Sequence, residues 1–285
     1  MEIQHVAYTY PAQKTQKSSN IDSGTQIALN DVCLDIQAGE YVVILGHNGS
    51  GKSTLARMCN ALLIPDSGYV YVDGHDTRDE TKRRLIRDEV GMIFQNPDNQ
   101  IIATVVEDDV AWALTVRGFP VPVVSERVEA AMNAVGITDL RRQPPQKLSG
   151  GQRQRLAIAG VLALRPKCII ADEATSMLDP LSRQEIVSLL HQLNRDYGLT
   201  IIHVTHMLEE AALAHRVVVM AQGRLILDET PAALFSDLSR MRAINLAIPE
   251  PLELASRLRK IGVSIPATAV TVDDIAQVLA QELHS

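Results

Sequence analysis

Alternation of hydrophobic and polar residues predicts a layered α/β fold. Residues 1–10 (MEIQHVAYTY) and 27–45 (IALNDVCLDIQAGEYVVIL) read as strands, with a turn at residues 38–39. The segment KSTLARMCNALL that follows has the spacing of a helix. Strand-like runs return at KCIIADE, TIIHVTH and RVVVMAQGRLILDE, with the helical run PLSRQEIVSLLHQLNRDYG among them. This alternation indicates a mostly parallel sheet.

The strand pattern is lost after about residue 96, where we predict a helical insert, 96–160, inside a domain of residues 1–240. Within the insert, SERVEAAMNAVG has a serine N-cap, helical spacing and a terminal glycine, which predict a helix from Ser125 to Gly136. Residues 241–285 form a predicted C-terminal helical extension with a role in dimerisation. Its last helix has Thr271 and Asp274 in capping-box positions and an apolar face of Ile275, Val278, Leu279 and Leu283.

Two features lie outside the regular pattern. Residues 11–24 (PAQKTQKSSNIDSG) are polar and turn-forming, so we expect an exposed, mobile hairpin loop. The three cysteines, Cys33, Cys59 and Cys168, have no paired or metal-ligand spacing and lie in apolar settings. We therefore expect buried thiols in a reducing cytosol.

Composition excludes some classes of function. The chain has 285 residues and a net charge of −7, from 27 basic and 34 acidic side chains, which gives no electrostatic footprint for nucleic acid. It has no run of 18 apolar residues and no signal-peptide pattern, so we do not expect the chain itself to cross a membrane.

A glycine-rich segment, GHNGSGKST, follows the strand YVVIL and opens a helix. Glycine lets several backbone N–H groups turn toward one point, and the helix start adds its own N–H groups and positive dipole end. Such a nest binds phosphate, although an ordinary glycine-rich turn is the alternative. Lys52 would reach the terminal phosphates, Ser53 would hold Mg²⁺ and Thr54 could touch an inner phosphate. The candidate nucleotide-binding residues here are Gly46, His47, Asn48, Gly49, Ser50, Gly51, Lys52, Ser53 and Thr54.

A second candidate site is CIIADE, an apolar strand that ends in two carboxylates. Ligands of open α/β sheets bind at the carboxyl ends of strands. Asp172 suits an Mg²⁺ role because Mg²⁺ prefers hard oxygen ligands, and Glu173 could then polarise a water against a γ-phosphate. Alone, such a pair is more typical of a solvated turn than of a catalytic site. The phosphate-binding segment in the same chain reverses this and favours the catalytic interpretation.

A third segment, LSGGQRQR, places Ser149, Gly150, Gly151 and Gln152 at a second helix start with anion-binding character. A second nest would make sense if it served a nucleotide on another subunit. With LSGGQ, the chain resembles the ATP-binding cassette (ABC) family, of which this pentapeptide is the signature and GHNGSGKST the Walker A motif. The resemblance implies a P-loop NTPase (RecA-like) core with an N-terminal antiparallel β subdomain, a helical signature subdomain and a C-terminal helical extension.

The resemblance also assigns roles to single residues. Tyr10 matches the aromatic that stacks on adenine, although a half-buried strand tyrosine is the plain alternative. Gln95 matches the Q-loop glutamine that contacts Mg²⁺, and His206 matches the switch histidine at the γ-phosphate, whereas His203 is expected only to be packed. Asp179 matches the D-loop aspartate of the subunit interface. In the signature, Ser149 and Gly151 match the residues that face the partner's γ-phosphate.

A finer resemblance lies in FQNPDNQIIATVVEDDVAWAL and RLAIAGVLALRPKCIIADEATSMLDP, which look like the first of the paired cytoplasmic ATPases of energy-coupling factor (ECF) transporters. It implies ATP and Mg²⁺ as cofactors, a second ABC ATPase as partner (a heterodimer, or else a homodimer) and a membrane coupling subunit. A substrate-binding membrane protein for vitamins or other micronutrients would be an indirect partner. The chain itself would lie at the cytoplasmic face of the membrane, as a peripheral subunit. The transported substrate, the more active ATP site and the role of 11–24 are left open.

Alternative functions are an ATPase of another ABC importer class or a DNA-maintenance ATPase. The latter needs long heptad arms between its two halves, and only about fifty residues separate Gln95 from Leu148.

Four carboxylates, Asp98, Glu107, Asp108 and Asp109, follow the Q-loop position within twelve residues. They are either a solvated acidic helix start or an acidic groove that receives arginines of the membrane subunit. The second interpretation predicts that replacing Asp108 or Asp109 weakens assembly.

Overall fold

The computed structural model describes residues 1–11 and 26–283, without the side chains of 281–283. Of the loop predicted at 11–24, only Pro11 falls within this part, so the prediction of a mobile hairpin loop lies outside the described residues. The side chain of Leu283, predicted on the apolar face of the last helix, lies outside them too.

The described strands form two sheets. Their bounds are β1 (Glu2–Tyr10), β2 (Gln26–Asp35), β3 (Tyr41–Leu45), β4 (Ser67–Val72), β5 (His75–Asp76), β6 (Val90–Ile93), β7 (Cys168–Asp172), β8 (Thr200–Thr205), β9 (Arg216–Ala221) and β10 (Arg224–Glu229). One sheet is antiparallel in the order β2-β1-β4-β5. The other has the order β10-β9-β3-β8-β7-β6 and is parallel except for β10. The mixed α/β fold with an N-terminal antiparallel sheet is as predicted.

Helices connect the strands. Their bounds are α1 (Lys52–Cys59), α2 (Arg83–Glu89), α3 (Val106–Val116), α4 (Val121–Val135), α5 (Gly150–Leu162), α6 (Pro180–Tyr197), α7 (Pro231–Ser236), α8 (Leu238–Ala243), α9 (Glu250–Lys260) and α10 (Val272–Leu283). The ends of helix α6 follow from its sequence. Asp179 caps the N-terminus, Pro180 is the first helical residue, and Gly198 ends the helix with a φ of 65°. Within residues 1–11 and 26–283, no helix combines the length and apolar character needed to span a bilayer.

One helix start was predicted wrongly. Helix α4 begins after Pro120, not at Ser125, which lies inside the helix. The physical reason is Pro122, because proline is favoured in a first turn, where its missing N–H costs no hydrogen bond. The predicted end at Gly136 is confirmed, with a φ of 71°. The capping box of α10 is confirmed too, since Asp274 N donates to Thr271 Oγ1 at 3.1 Å and Thr271 N to Asp274 Oδ2 at 3.0 Å.

The core lies on both faces of the parallel sheet. In β3, Tyr41, Val43 and Leu45 pack with the helices that follow β6 and with α6, while Val42 and Ile44 pack toward α1 and the antiparallel sheet. A smaller cluster at Ala255, Ile265, Ala269 and Ile275 holds α9 against α10. The division at residue 240 stays a prediction.

The cysteines divide between core and surface. Cys59 and Cys168 are buried, as predicted, but Cys33 is exposed, so the prediction of a buried thiol is wrong there. The reason is the period of two in β2: Val32 and Leu34 face the core, which turns Cys33 to solvent.

Four parallel strands that lie side by side, β3, β8, β7 and β6, end at one edge of the sheet. Residue 46, His206 and Glu173 come immediately beyond the ends of β3, β8 and β7, and Gln95 comes two residues beyond the end of β6. The sheet thus brings together segments that are far apart in sequence.

Candidate functional site

The loop after β3 closes tightly around three glycines. Gly46, Gly49 and Gly51 have φ values of 153°, 81° and 101°. A Cβ on Gly46 would lie 2.3 Å from Met220 O, and one on Gly51 would lie 2.5 Å from Ala28 O. Only glycine fits these two positions, so the loop follows a path that other residues cannot adopt. It leads into α1, whose first N–H groups have no partner within the helix.

Lys52 is the basic group of this loop. Its Nζ donates to Gly46 O at 2.7 Å and to His47 O at 2.9 Å, and lies 3.9 Å from Glu173 Oε1. The side chain is only 3% exposed. Burial lowers the pKa of Lys52, while the nearby carboxylates of Glu173 and Asp172 act in the opposite direction. The ammonium is thereby held beside two acidic groups.

A hydrogen bond joins α1 to the end of β7. Ser53 Oγ donates to Asp172 Oδ1 at 2.6 Å, and Arg57 Nε lies 4.0 Å from Asp172 Oδ2. Burial raises the pKa of Asp172, and the Ser53 hydrogen bond and the Arg57 charge partly offset this. A second cation near this carboxyl would favour its ionised form.

Glu173 lies one residue further, in a strained conformation. Its φ is 52°, which a side chain of this size adopts only when the surroundings enforce it. Its N–H donates to Val204 O at 2.9 Å, and its own carbonyl accepts from Ser176 N at 3.1 Å. Gln95 Nε2 donates to Glu173 Oε2 at 3.4 Å and to Ser176 Oγ at 3.0 Å. The carboxylate is thus held from the Q-loop side.

These groups line one open cavity of about 660 Å³. Its size lies within the range of small-molecule sites. The cavity brings together many of the predicted residues: Asn48, Gly49, Ser50, Gly51, Lys52, Ser53, Thr54, Gln95, Asp172 and Glu173. Gly46 and His47 do not line it but hold Lys52 through their carbonyls.

Two predicted residues lie near the cavity without lining it. The hydroxyl of Tyr10 is 3.1 Å from Thr54 Oγ1, so the end of β1 contacts the first turn of α1. His206 is exposed just beyond β8 and has no hydrogen bond or ion pair to any described residue.

The predicted signature residues Ser149, Gly150, Gly151 and Gln152 lie apart from the cavity, at the start of α5. Ser149 N donates to Gln152 Oε1 at 2.9 Å, and Gln152 N donates to Ser149 Oγ at 3.3 Å. This capping box provides hydrogen-bond partners for only some of the backbone N–H groups at the start of α5. Gly151 is buried, and a Cβ there would lie 3.0 Å from Ser182 Oγ.

A model of the ABC transporter family matches residues 29–176, which span the glycine loop, the signature and both carboxylates. The chain belongs to the ABC transporter family. As an ABC ATPase, it is a cassette that binds ATP and couples hydrolysis to transport.

Relatives of this ABC ATPase cover nearly its whole length. The energy-coupling factor transporter ATP-binding protein EcfA1 of Symbiobacterium thermophilum is 48% identical over 276 residues, 97% of this chain and 95% of that protein. The structure of cbiO1 from Clostridium perfringens, part of the ABC transporter complex cbiONQ, is 34% identical with a TM-score of 0.74, covering 89% of this chain and 97% of its own. A dimeric post-hydrolysis structure of the cassette MJ0796, bound to ADP and Pi, is 30% identical with a TM-score of 0.69, covering 80% and 97%. The resemblance to ECF ATPases and the P-loop fold are confirmed.

Sequence reasoning missed several cavity residues of this ABC ATPase. Arg57 lies one turn after Ser53, and Phe94, Asn96 and Asn99 flank Gln95. Their proximity to recognised motifs was the only available signal. Ser176, which receives a hydrogen bond from Gln95, had no signal of its own.

A buried polar cluster beneath the His206 turn was missed as well. His203 is fully buried, with Nδ1 3.2 Å from the Tyr41 hydroxyl and Nε2 3.3 Å from Glu210 Oε2. Burial alone would raise the pKa of Glu210, but hydrogen bonding and charge from His203 outweigh it, with help from Thr205 and Thr175, and the net pKa is lowered. His203 is therefore more than a packed side chain.

Proposed function

We propose that this ABC ATPase binds ATP and Mg²⁺ in the 660 Å³ cavity and powers an ECF-type importer of vitamins or other micronutrients from the cytoplasmic face of the membrane. The observation that carries the proposal is the meeting of three groups at one sheet edge. These are the glycine loop with Lys52, the Ser53–Asp172 pair, and Glu173 held by Gln95.

The glycine loop binds the phosphates of ATP. The first N–H groups of α1 and the loop backbone supply donors, and Lys52 supplies a positive charge at the terminal phosphates. The adenine stacks on Tyr10, which the Thr54 contact holds next to this loop.

The donor set fits Mg²⁺. The Ser53 hydroxyl, the Asp172 carboxylate and the Gln95 amide all line the cavity and are hard oxygen ligands. Ser53 and Asp172 are already within 2.6 Å of each other. When bound, the ion neutralises charge on the phosphate oxygens; these three side chains hold and orient it.

Glu173 acts as the group that polarises the attacking water. Its backbone strain fixes the carboxylate at the end of β7, where Lys52 lies 3.9 Å away. The water gives its proton toward Glu173 as its oxygen attacks the γ-phosphorus, and ADP leaves with the electrons of the broken bond. His206, without a partner among the described residues, contacts the γ-phosphate in this proposal.

A second cassette completes the ATP site. Support comes from Ser149 and Gln152, which lie outside the cavity of their own chain, at an exposed helix start with unpaired N–H groups. The similar cassette MJ0796 forms a dimer with ADP and Pi bound. We infer that Ser149, Gly150, Gly151 and Gln152 face the partner's γ-phosphate and that Asp179 lies at the interface. The ECF resemblance favours a heterodimer.

The C-terminal extension, 241–285, contributes to that dimer. Leu254 on α9, Ile261 just after α9 and Val272 at the start of α10 are 49%, 77% and 68% exposed. Apolar side chains that are exposed together on one small unit favour a protein interface.

The membrane coupling subunit docks beside the Q-loop. A groove of about 400 Å³ lies there, lined by Ile102 and Arg153 among others, and Trp112 and Val116 are exposed on α3. The carboxylate of Asp108 is exposed, has no hydrogen bond or ion pair to a described residue, and is the best candidate to receive an arginine.

The test is purification of the tagged chain from membranes, followed by identification of its companions and assay of ATP hydrolysis. We expect a second ABC ATPase, a membrane coupling subunit and a substrate-binding membrane protein, with ATPase activity in the complex. Recovery with chromosomal DNA or without any membrane protein would contradict the proposal.

A further inference from the structure

Three side chains with different donor atoms meet on the outer face of the antiparallel sheet, away from the ATP cavity. His5 Nδ1 lies 2.8 Å from Asp31 Oδ1, and the backbone N–H of His5 donates to Cys33 Sγ at 3.2 Å. One nitrogen, one oxygen and one sulfur thus lie within 4.8 Å of one another. His5 and Asp31 are 78% and 68% exposed.

Irregular pairing of β1 with β2 produces this arrangement. The register shifts between Ile3 and Val6 and again between Val6 and Tyr8, as at β-bulges. His5 and Asp31 lie in these shifts with φ values of 50° and 55°. Gly68 on β4 permits the path, since a Cβ there would lie 2.3 Å from His5 O. In a regular strand, neighbours such as His5 and Val6 point to opposite faces; here the shifts determine where His5 points.

We propose that His5, Asp31 and Cys33 bind one divalent transition-metal ion of the Zn²⁺ type. Imidazole nitrogen, thiolate sulfur and carboxylate oxygen are the ligands that Zn²⁺ takes in proteins, and three protein ligands with water in the fourth position form an open tetrahedral site. In such a site the ligand atoms lie roughly 3.3 to 3.6 Å apart. Rotation of these three exposed side chains closes the larger separations found here and opens the 2.8 Å between His5 Nδ1 and Asp31 Oδ1.

The donor set selects against Mg²⁺. Mg²⁺ requires hard oxygen ligands, as at Ser53 and Asp172, whereas a thiolate and an imidazole favour softer ions. The two sites of this chain therefore differ in chemistry, and a Zn²⁺-type ion can be studied at the outer site with no nucleotide present.

Binding follows a balanced acid–base step without oxidation or reduction. The Cys33 thiol releases its proton to water as the sulfur coordinates the ion. The proton that His5 Nδ1 donates to Asp31 moves through solvent to Nε2, so that the ring changes tautomer and the freed Nδ1 lone pair coordinates the ion. The Asp31 carboxylate exchanges its hydrogen bond to His5 for a bond to the ion. Because a proton is released, affinity falls as pH is lowered.

The test is titration of the full chain with Zn²⁺ by calorimetry, without nucleotide, and with Co²⁺ by absorbance, in which a thiolate ligand gives a charge-transfer band. We expect one equivalent of Zn²⁺, proton release, and a Co²⁺ band that is absent in Cys33→Ser. His5→Asn and Asp31→Asn should each weaken binding at least about tenfold, as expected for loss of a ligand. Asparagine tolerates positive φ, so these variants keep the backbone conformation.

Two controls separate this site from others. His75→Ala, on β5 of the same sheet, should bind Zn²⁺ like the unmodified chain. ATP affinity in Mg²⁺ should be unchanged in all variants, which also shows that they fold. Absence of a stoichiometric site, or a site that survives His5→Asn, Asp31→Asn and Cys33→Ser, would overturn the proposal.

Discussion

The hydroxyl of Ser53 donates to the carboxylate of Asp172 across 2.6 Å, although the two residues are 119 positions apart in sequence. This bond joins the first turn of α1 to the carboxyl end of β7, so it ties the phosphate-binding loop to the acidic strand end. Both atoms face the cavity in which we place the metal-bound triphosphate.

The first prediction concerns Asp172→Asn. The amide keeps the shape of the side chain and can accept from Ser53, but it removes the charge that favours Mg²⁺. We expect ATP affinity measured with Mg²⁺ to fall at least about tenfold, while affinity measured in a chelator changes little. Titration with a fluorescent ATP analogue in both buffers checks this, and an equal loss in both would show that Asp172 supports the loop rather than the ion.

The second prediction is that Lys52→Ala weakens binding of ATP itself. The variant removes the only ammonium among the described residues that line the cavity, and it leaves the carbonyls of Gly46 and His47 without their donor. We expect ATP affinity to fall at least about tenfold. This corresponds to a loss of about 1.4 kcal/mol or more of binding free energy, as expected when one charged contact is removed. Lys82→Ala, at an exposed lysine, is the matched control; unchanged binding in Lys52→Ala would refute the assigned role.

The third prediction concerns Glu210, buried against His203. Because its pKa is lowered in the folded state, its contribution to stability is present above the unfolded value of about 4.3 and is lost as pH falls through the lower folded value. Glu210→Gln should therefore lower the unfolding free energy at pH 7, and the loss should shrink near pH 4 and below.

Urea unfolding at a series of pH values measures this difference. Glu209→Gln, at the preceding half-buried position, is the control and should differ little from the unmodified chain. A cost that stays constant down to pH 3 would show that the carboxylate contributes through shape and not charge.

The fourth prediction separates Asp108 from Asp109. The structure gives Asp109 a structural partner, since its Oδ1 accepts from Ile102 N at 2.7 Å and Ala103 N at 2.8 Å. Asp108→Ala should weaken assembly with the membrane coupling subunit at least about tenfold and spare ATP binding. Asp109→Ala should loosen the 102–103 turn as well.

Pull-down with the membrane subunit at two salt concentrations, alongside ATP titration, tests the pair. Salt should weaken the unmodified complex more than the Asp108→Ala complex, because an ion pair is screened. Unchanged assembly in the Asp108→Ala, Asp109→Ala double variant would show that these residues form only a solvated helix start and do not bind the membrane subunit.

Much of the site could be predicted because its residues lie in short, contiguous sequence motifs. The glycine loop, Asp172 and Glu173 each follow an apolar strand, and parallel strands bring their carboxyl ends to one edge. Gln95 and His206 depended on the family resemblance, since neither lies in a pattern with chemistry of its own.

Other features needed the three-dimensional structure. The pairing of His203 with Glu210 depends on the short 3₁₀ helix Leu208–Ala211, which places Glu210 beside His203 of β8. No hydrophobic periodicity in the sequence predicts this short helix. The cluster of His5, Asp31 and Cys33 depends on two register shifts, which single-strand patterns do not encode. The start of α4 was predicted at Ser125 from its capping signal, whereas the helix begins earlier, with Pro122 in its first turn.

The central claim is that Glu173 polarises the water in a cavity that binds ATP without it. Steady-state ATP hydrolysis and ATP affinity of Glu173→Gln, measured in the assembled complex, test this most directly, with Glu80→Gln as a surface control. We predict that hydrolysis is abolished while ATP binding is retained, because the variant removes the carboxylate and leaves the phosphate-binding loop intact. The lifetime of the closed pair of cassettes should increase. Turnover near that of the unmodified complex would contradict the account.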